Sequence, residues 1–302
     1  MARASQRSRS MRKIALSAAV AGIALACGSA SPSAPTGPTT AAAAAPAGLR
    51  VMTFNIQHGL NNDGKYDLTW AIDTIAALNP DIAGVQELTR NHPSYNCEDQ
   101  PAKIAQGLTA ATGRTWSYIY KAEWTTAVTD CKGDTPETEG NGFFAPYPIS
   151  ESGSVSLWNG RNGLKTTLRA GRGIPIITTH LQSGLLPGNS SDRMRQLETL
   201  LPWSAGQGAW RILVCDCNAN PDSPEYQQLH ALYHDAWADA AAAGTAKGRM
   251  DGITHKHSRI DYIFYEPGDA LELVSMENVE TPALIGVEAS DHRPQLAVFR
   301  VK

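Results

Sequence analysis

The feature that most constrains this chain is a repeated pattern: short apolar runs, many of them β-branched, each ending on a polar residue. Asn55 follows "VMTF", Glu87 follows "IAGVQ", His180 follows "IPIITT", and Asp216 and Asn218 follow "ILV". Asp261 opens "DYIF", while Asp291 and His292 precede "RPQLAVF". Strands are predicted at 49–56, 81–87, 115–120, 142–146, 152–158, 164–170, 174–181, 211–217, 259–265, 270–277 and 295–301. Helical periodicity marks 67–78, where Leu68, Ala71, Ile72 and Ile75 form a stripe, then 101–111, 191–201 after the cap signal Ser191/Asp192, and 223–232. Helices separate only some of the strands. That disfavours a doubly wound parallel sheet and favours two packed sheets with helices outside.

The ends of the chain are organised differently. Arg3, Arg7, Arg9, Arg12 and Lys13 precede the apolar run 14–26, the layout of an export signal over 1–27. The run is too short to span a bilayer comfortably as a permanent helix. "IALACGS" resembles a bacterial lipoprotein cleavage box with Cys27 as the lipidated residue, although Ala24 stands where leucine is usual. The alternative is cleavage near 41–45, releasing a freely secreted protein. Lipidation is favoured because it leaves four cysteines, an even number suited to an oxidising compartment. Either way the expected location is secreted or extracytoplasmic, with any membrane tether running through Cys27. Residues 28–48 are uncharged and rich in Ala, Pro, Ser and Thr, as a flexible linker would be. One domain is expected over 49–302. The whole chain has 26 Lys+Arg against 29 Asp+Glu; removing the five basic residues before Cys27 leaves 21 against 29, a net charge near −8. A generic polyanion-binding surface is thereby disfavoured, though a local basic groove is not.

At any one strand end, a polar residue marks no more than arrival at solvent. Taken jointly, the set matches phosphoryl chemistry. A phosphodiester is anionic and its transition state spreads charge over the equatorial oxygens, so a hard cation on carboxylates stabilises it, as do neutral or cationic donors. Glu87 and Asp291 suit Mg²⁺, which takes oxygen ligands and keeps several waters. Asn55 and Asn218 add amide groups without adding negative charge, and the histidines can hold or move protons near neutral pH.

"TFNI", "VQEL", "TTHL", "DCNA", "RIDYIF" and "SDHRP" together resemble, in order and spacing, the endonuclease/exonuclease/phosphatase superfamily over residues 49–301. The resemblance implies an α+β fold, a four-layer α/β/β/α sandwich of two mostly antiparallel sheets. It further implies a metal-dependent phosphoric ester hydrolase. Glu87 would be the principal Mg²⁺ ligand with Asn55 and Asp291, Mn²⁺ or Ca²⁺ being alternatives. Asp216 would orient or deprotonate the attacking water, and Asn218 would bind phosphate. His292 would sit at the scissile phosphate paired with Asp261, with His180 a phosphate ligand or general acid. Attack by water would be in line, without a covalent enzyme intermediate. Extracellular DNA is the leading substrate; a lipid headgroup or small organic phosphate is the alternative, followed by a non-catalytic surface binding module. A monomer is expected and no protein partner is implied.

Other positions carry weaker signals. Asn141, where many members have "GNAIL", and Arg161 are candidate phosphate contacts; Lys165 is explained equally well as surface charge. Capping or surface pairing accounts for Arg193 and Gln196. Trp203, Trp210 and Trp237 read as packing residues rather than base-stacking platforms. His255 and His257 fall in an expected exposed loop and are left out of the site. Cys97 and Cys131 are expected to form a disulfide closing a polar insertion at the rim of the site. Cys215 and Cys217 replace the glycine and phenylalanine of the usual "GDFN". In a regular strand their Cα atoms would lie about 6.6 Å apart, near the upper limit for a disulfide. Buried free thiols are therefore expected, with a redox-sensitive disulfide or soft-metal ligation as alternatives.

Overall fold

The computed structural model describes residues 48–126, 131, 136–168, 173–184, 187–266 and 268–302. The export signal, Cys27 and nearly all of the 28–48 linker lie outside the described residues. The strands are β1 (Leu49–Asn55), β2 (Ile82–Arg90), β3 (Ser117–Thr125), β4 (Thr138–Ala145), β5 (Gly153–Ser156), β6 (Asn162–Leu168), β7 (Ile174–His180), β8 (Ile212–Asp216), β9 (His234–Asp235), β10 (Ala246–Gly248), β11 (Asp261–Tyr265), β12 (Leu271–Asn278) and β13 (Gln295–Val301). The helices are α1 (Thr69–Leu78), α2 (Gln100–Thr112), α3 (Pro187–Ala205), α4 (Pro224–His230), α5 (Ala236–Ala243) and α6 (Thr281–Ile285).

One sheet runs β10-β12-β13-β1-β2-β4-β3, the other β5-β6-β7-β8-β11-β9. Antiparallel pairs predominate; β1/β2, β10/β12 and β7/β8 are parallel. This is the expected α+β sandwich. Its layers follow from the two-residue period of each strand. Along β1, Val51 enters the core between the sheets while Met52 and Phe54 pack with Ile75, Ile104 and Leu108 beneath α1 and α2. Along β8, Ile212 and Val214 face the first sheet while Leu213 and Cys215 pack with Leu197 and Leu200 of α3 and Leu229 of α4. Alternate residues thus serve two different cores.

The same period carries the site. On β1, β7 and β8 the positions facing the other sheet run Val51-Thr53-Asn55, Ile176-Thr178-His180 and Ile212-Val214-Asp216. Each series starts apolar between the sheets and ends polar at one edge of the sandwich. One step inside that edge, the Gln86 amide donates to Thr53 at 3.1 Å and to Thr178 at 3.0 Å, closing the gap between the sheets with satisfied polar groups.

Three differences from the sequence reading have local causes. The helix expected at 191 begins at Pro187, and Asp192 accepts a hydrogen bond from the Trp158 indole at 2.9 Å instead of capping. β2 continues to Arg90 because a bulge breaks its register with β4 between Val85 and Leu88. The short elements β9, β10, α5 and α6 carried too few residues to show a period. α5 is capped by Asp235, whose carboxylate accepts from the Trp237 and Ala238 amides.

The sheets approach closely at Gly84 of β2, where a Cβ would lie 2.5 Å from Val214 Cγ2 and 3.3 Å from Phe143 Cε1. Gly84→Ala is expected to destabilise the domain by ~1–3 kcal/mol through overpacking, read as a fall in melting temperature of roughly 2–4 °C per kcal/mol. An unchanged melting temperature would show that the sheets can separate locally without cost.

Candidate active site

Asp216 is the centre of the polar edge. It is the register partner of both His180 on β7 and Asp261 on β11, so three site residues stand in one cross-strand row. Asn55 comes from the opposite sheet and is fully buried; its amide nitrogen donates to Asp216 Oδ2 and to Glu87 Oε1, each at 3.0 Å. In a regular strand Glu87 would follow Gln86 onto the opposite face. The bulge in β2 and a left-handed φ of 58° at Glu87 turn it toward Asn55 instead.

Two imidazoles approach Asp216 Oδ2, with His180 Nε2 at 3.4 Å and His292 Nε2 at 3.7 Å. Their other nitrogens meet opposite partners. His292 Nδ1 lies 2.9 Å from Asp261 Oδ2, whereas His180 Nδ1 accepts from Arg161 Nη1 at 2.9 Å. Burial opposes charge on His292, but Asp261, Asp216, the Asp261 hydrogen bond and Asp291 outweigh it and push the imidazole up to about 10. Burial, then the Arg161 charge, then His292 and His58 hold His180 well below its ordinary range. His180 is therefore neutral with its proton on Nε2, a buried donor without a hydrogen-bond partner. Burial, and then the Asp261 charge, lift Asp216 to about 7.

Arg161 is itself held from behind. Its guanidinium pairs at 2.7 Å with Glu123, a buried carboxylate that also accepts from the Asn141 amide at 2.9 Å and the Asn162 backbone at 3.2 Å. Asn218 has a left-handed φ of 49°; its backbone N–H donates to Asp216 Oδ1 at 3.0 Å and its side chain to the Leu181 carbonyl at 3.1 Å. On the far side of β1, Ser290 Oγ donates to the Asn55 carbonyl at 2.8 Å, and the Asp291 N–H donates to Gln57 Oε1 at 3.3 Å. Asp291 Oδ1 is buried without a hydrogen bond, 3.8 Å from His292 Nε2. A cavity of about 220 Å³ opens beside Asp291 and His292.

Some site residues were missed in the sequence. His58 lies 3.3 Å from Glu87 Oε2 through Nε2 and 3.8 Å from Glu139 Oε2 through Nδ1; its position three residues beyond Asn55 was the available signal. Burial, then the Glu87 charge, raises Glu139 to about 8. Glu123 and Glu139 sit in ordinary strand sequence and gave no signal. His255, expected in a loop away from the site, places Nε2 3.2 Å from Asp291 Oδ2 and stacks on His292 at 4.4 Å. The isolated bridge from His255 to His292 folds the loop back onto the site, while His257 remains exposed. Arg193 and Gln196 are buried rather than superficial. Arg193 holds the Gln182 and Gly184 carbonyls, and Gln196 ties Gln182 to Trp158. Lys165 points to Gln207.

Both cysteine pairs are disulfides. Cys97–Cys131, with Cα atoms 5.5 Å apart, closes the insertion as expected; Tyr95 from that insertion stacks on His58 at 5.1 Å. Cys215–Cys217 corrects the expectation of free thiols. β8 ends at Asp216 and the chain bends, shortening the Cα separation to 5.2 Å. Both residues are fully buried among the side chains of α3 and α4.

The residues present fit a divalent cation. Glu87 and Asp216 beside His180, and Asp291 beside His255 and His292, stand in two clusters whose polar atoms lie within 4.8 Å of one another; with His180 Nε2 and His292 protonated, the carboxylates are the donors open to a cation. Asp291 Oδ1 has no hydrogen-bond partner, and carboxylate oxygens suit a hard ion.

Fold and site together define a metal-dependent phosphoesterase architecture. The endonuclease/exonuclease/phosphatase family model matches residues 52–292, and the chain belongs to this family, whose members are hydrolytic phosphoesterases dependent on a divalent metal. Comparison with curated proteins finds no match. Among solved structures, an endonuclease/exonuclease/phosphatase from Beutenbergia cavernae is 22% identical, with a TM-score of 0.62 over 84% of this chain and 72% of that one. The human Nocturnin catalytic domain with bound sulfate is 21% identical, with a TM-score of 0.58 over 84% and 95%. D. rerio TDP2 complexed with single strand DNA product is 16% identical, with a TM-score of 0.58 over 84% and 99%. These likenesses carry the fold.

Two measurements test the site. The unfolded chain protonates His180 near 6.5 and the folded chain does not, so this contribution to stability is complete above about pH 6.5 and is lost as pH falls below it. Relative to His180→Gln, the wild type is expected to lose up to ~1.4 kcal/mol per pH unit between about pH 6 and 5 in urea titrations; parallel curves would show that His180 charges in the fold. Protein unfolded without reductant is expected to take up no iodoacetamide at Cys97, Cys131, Cys215 or Cys217 by mass spectrometry. Label on Cys215 and Cys217 would restore the free-thiol reading.

Proposed function

We propose that the protein is an exported Mg²⁺-dependent phosphodiesterase that hydrolyses nucleic-acid phosphodiester bonds. The observation that carries this reading is the convergence on Asp216 of one cationic and one neutral imidazole, each presenting an Nε2–H. A phosphodiester needs both charge neutralisation and fixed donors around its equatorial oxygens. His292, held protonated by Asp261, supplies the charge, and His180, held neutral by burial and then by Arg161, supplies a donor that does not titrate near neutral pH. Asp216 orients the attacking water and accepts its proton, and Asn218 fixes the Asp216 carboxylate through its backbone N–H. Water attacks phosphorus in line with the leaving oxygen, and no protein nucleophile is required.

Glu87 and Asp291 would hold the cation, with Asn55 steadying Glu87 through its amide. Bound there, the ion would supply Lewis-acid stabilisation of charge on the phosphate oxygens. The basic run before the 14–26 apolar segment supports export, and two disulfides suit an oxidising compartment. The single-stranded DNA product in the TDP2 structure supports a nucleic acid over a lipid headgroup.

Plasmid DNA incubated with the protein and Mg²⁺ is expected to be cleaved. EDTA should abolish cleavage, and His292→Ala should lower the rate by roughly 10²-fold or more. A folded, Mg²⁺-binding protein that leaves both plasmid and single-stranded DNA intact would move the substrate to lipid headgroups or small phosphate esters.

A further inference from the structure

Two tryptophans are exposed beside the site, Trp124 at 38% and Trp158 at 52%. They share one rim. Trp124 follows Glu123 on β3, and its indole covers the Arg161 guanidinium at 4.4 Å, the same Arg161 that hydrogen-bonds His180. Trp158 lies three residues before Arg161 in the single turn Trp158–Gly160. That turn bridges the two sides of the rim. A Cβ on Gly160 would lie 3.6 Å from the Glu123 carbonyl and 3.9 Å from the Trp124 ring, while Asn159 donates at 3.0 Å to Gln182, two residues beyond His180.

Trp158 is held in place. Trp158 donates through Nε1 to Asp192 at 2.9 Å, its carbonyl accepts from Gln196 at 2.9 Å, and the Arg195 guanidinium stands over the ring at 4.8 Å. Each exposed indole is therefore backed by an arginine.

We propose that Trp124 and Trp158 form a stacking platform for unpaired nucleobases beside the scissile phosphate, so that the preferred substrate is single-stranded or locally unpaired nucleic acid. The proposal rests on the phosphodiesterase reading above. A duplex buries its base faces against one another, so only unpaired bases can use such a platform. Charge favours the same occupant. With a net charge near −8 after the export signal, the domain has few cations to spread along a phosphate backbone, and stacking can supply the affinity that counterion release does not. The arginines add cation–π character to the rim without requiring a broad basic groove.

The test compares cleavage of a short oligothymidylate with that of an abasic strand of equal length, using the full-length wild type, Trp158→Ala and Trp124→Leu. Leucine keeps an apolar cover over Arg161. Each variant is expected to raise KM for oligothymidylate about 5- to 150-fold, equivalent to ~1–3 kcal/mol per stacked base, while kcat and cleavage of the abasic strand stay at the wild-type level. If KM for oligothymidylate does not move while the wild type still cleaves it, the platform is overturned and the phosphodiesterase reading stands. Equal losses on both strands also overturn it, showing that the tryptophans act through Arg161. If the variants instead lose binding to sphingomyelin/phosphatidylcholine vesicles with oligothymidylate unaffected, the rim is a membrane contact. A wild type that cleaves neither strand overturns both readings.

Discussion

One amide at the centre of the site reaches both sheets. Asn55 ends an inward-facing series on β1, and its two N–H bonds reach Glu87 on its own sheet and Asp216 on the other. Two carboxylates this close repel in a region of low dielectric, and a shared neutral donor offsets that repulsion without adding charge. Other features depend on the same placement. The bulge in β2 brings Glu87 within reach, and the Gln86 amide beneath it joins Thr53 to Thr178 across the sheets. Ser290 fastens the segment carrying Asp291 and His292 to the Asn55 carbonyl. Shifting β1 by one residue would exchange Asn55 for a core side chain and separate all three.

The two imidazoles show how identical side chains acquire different charge states. His180 and His292 are both nearly buried and both approach Asp216 Oδ2. Burial alone would leave both neutral. The difference arises behind the rings, where Asp261 faces one Nδ1 and Arg161 the other. Arg161 is buried at this position because Glu123 balances its charge, so a residue remote from the phosphate determines which nitrogen of His180 carries the proton.

Much of this was legible in the sequence because both the fold and the site are periodic. Alternation along β1, β7 and β8 placed Asn55, His180 and Asp216 at strand ends, and the two-sheet arrangement followed from the scarcity of intervening helices. Residues positioned by long-range contact were not legible. Glu123 sits in an unexceptional strand and matters only because β4 and β6 bring Asn141, Arg161 and Asn162 to it. His255 has a loop sequence that gives no sign of folding back on His292. The cysteine pair failed for a different reason. A regular-strand separation was assumed for Cys215 and Cys217, whereas the strand ends between them and the bend brings their Cα atoms within bonding range.

The electrostatics of the site bear on how an anion would enter it. Burial first, and then neighbouring carboxylates, raise both Asp216 and Glu139. Of the nearby cations, Arg161 is paired with Glu123, and His292 owes its proton to the same carboxylates that surround it. A phosphodiester entering alone would add a further negative charge to this cluster. Protonating Asp216 would lower that charge but would remove the acceptor that the attacking water requires. A divalent cation held by Glu87 and Asp291, as proposed above, would relieve the repulsion and leave Asp216 ionised. On that proposal, substrate entry and cation binding would be coupled through the charge of the site.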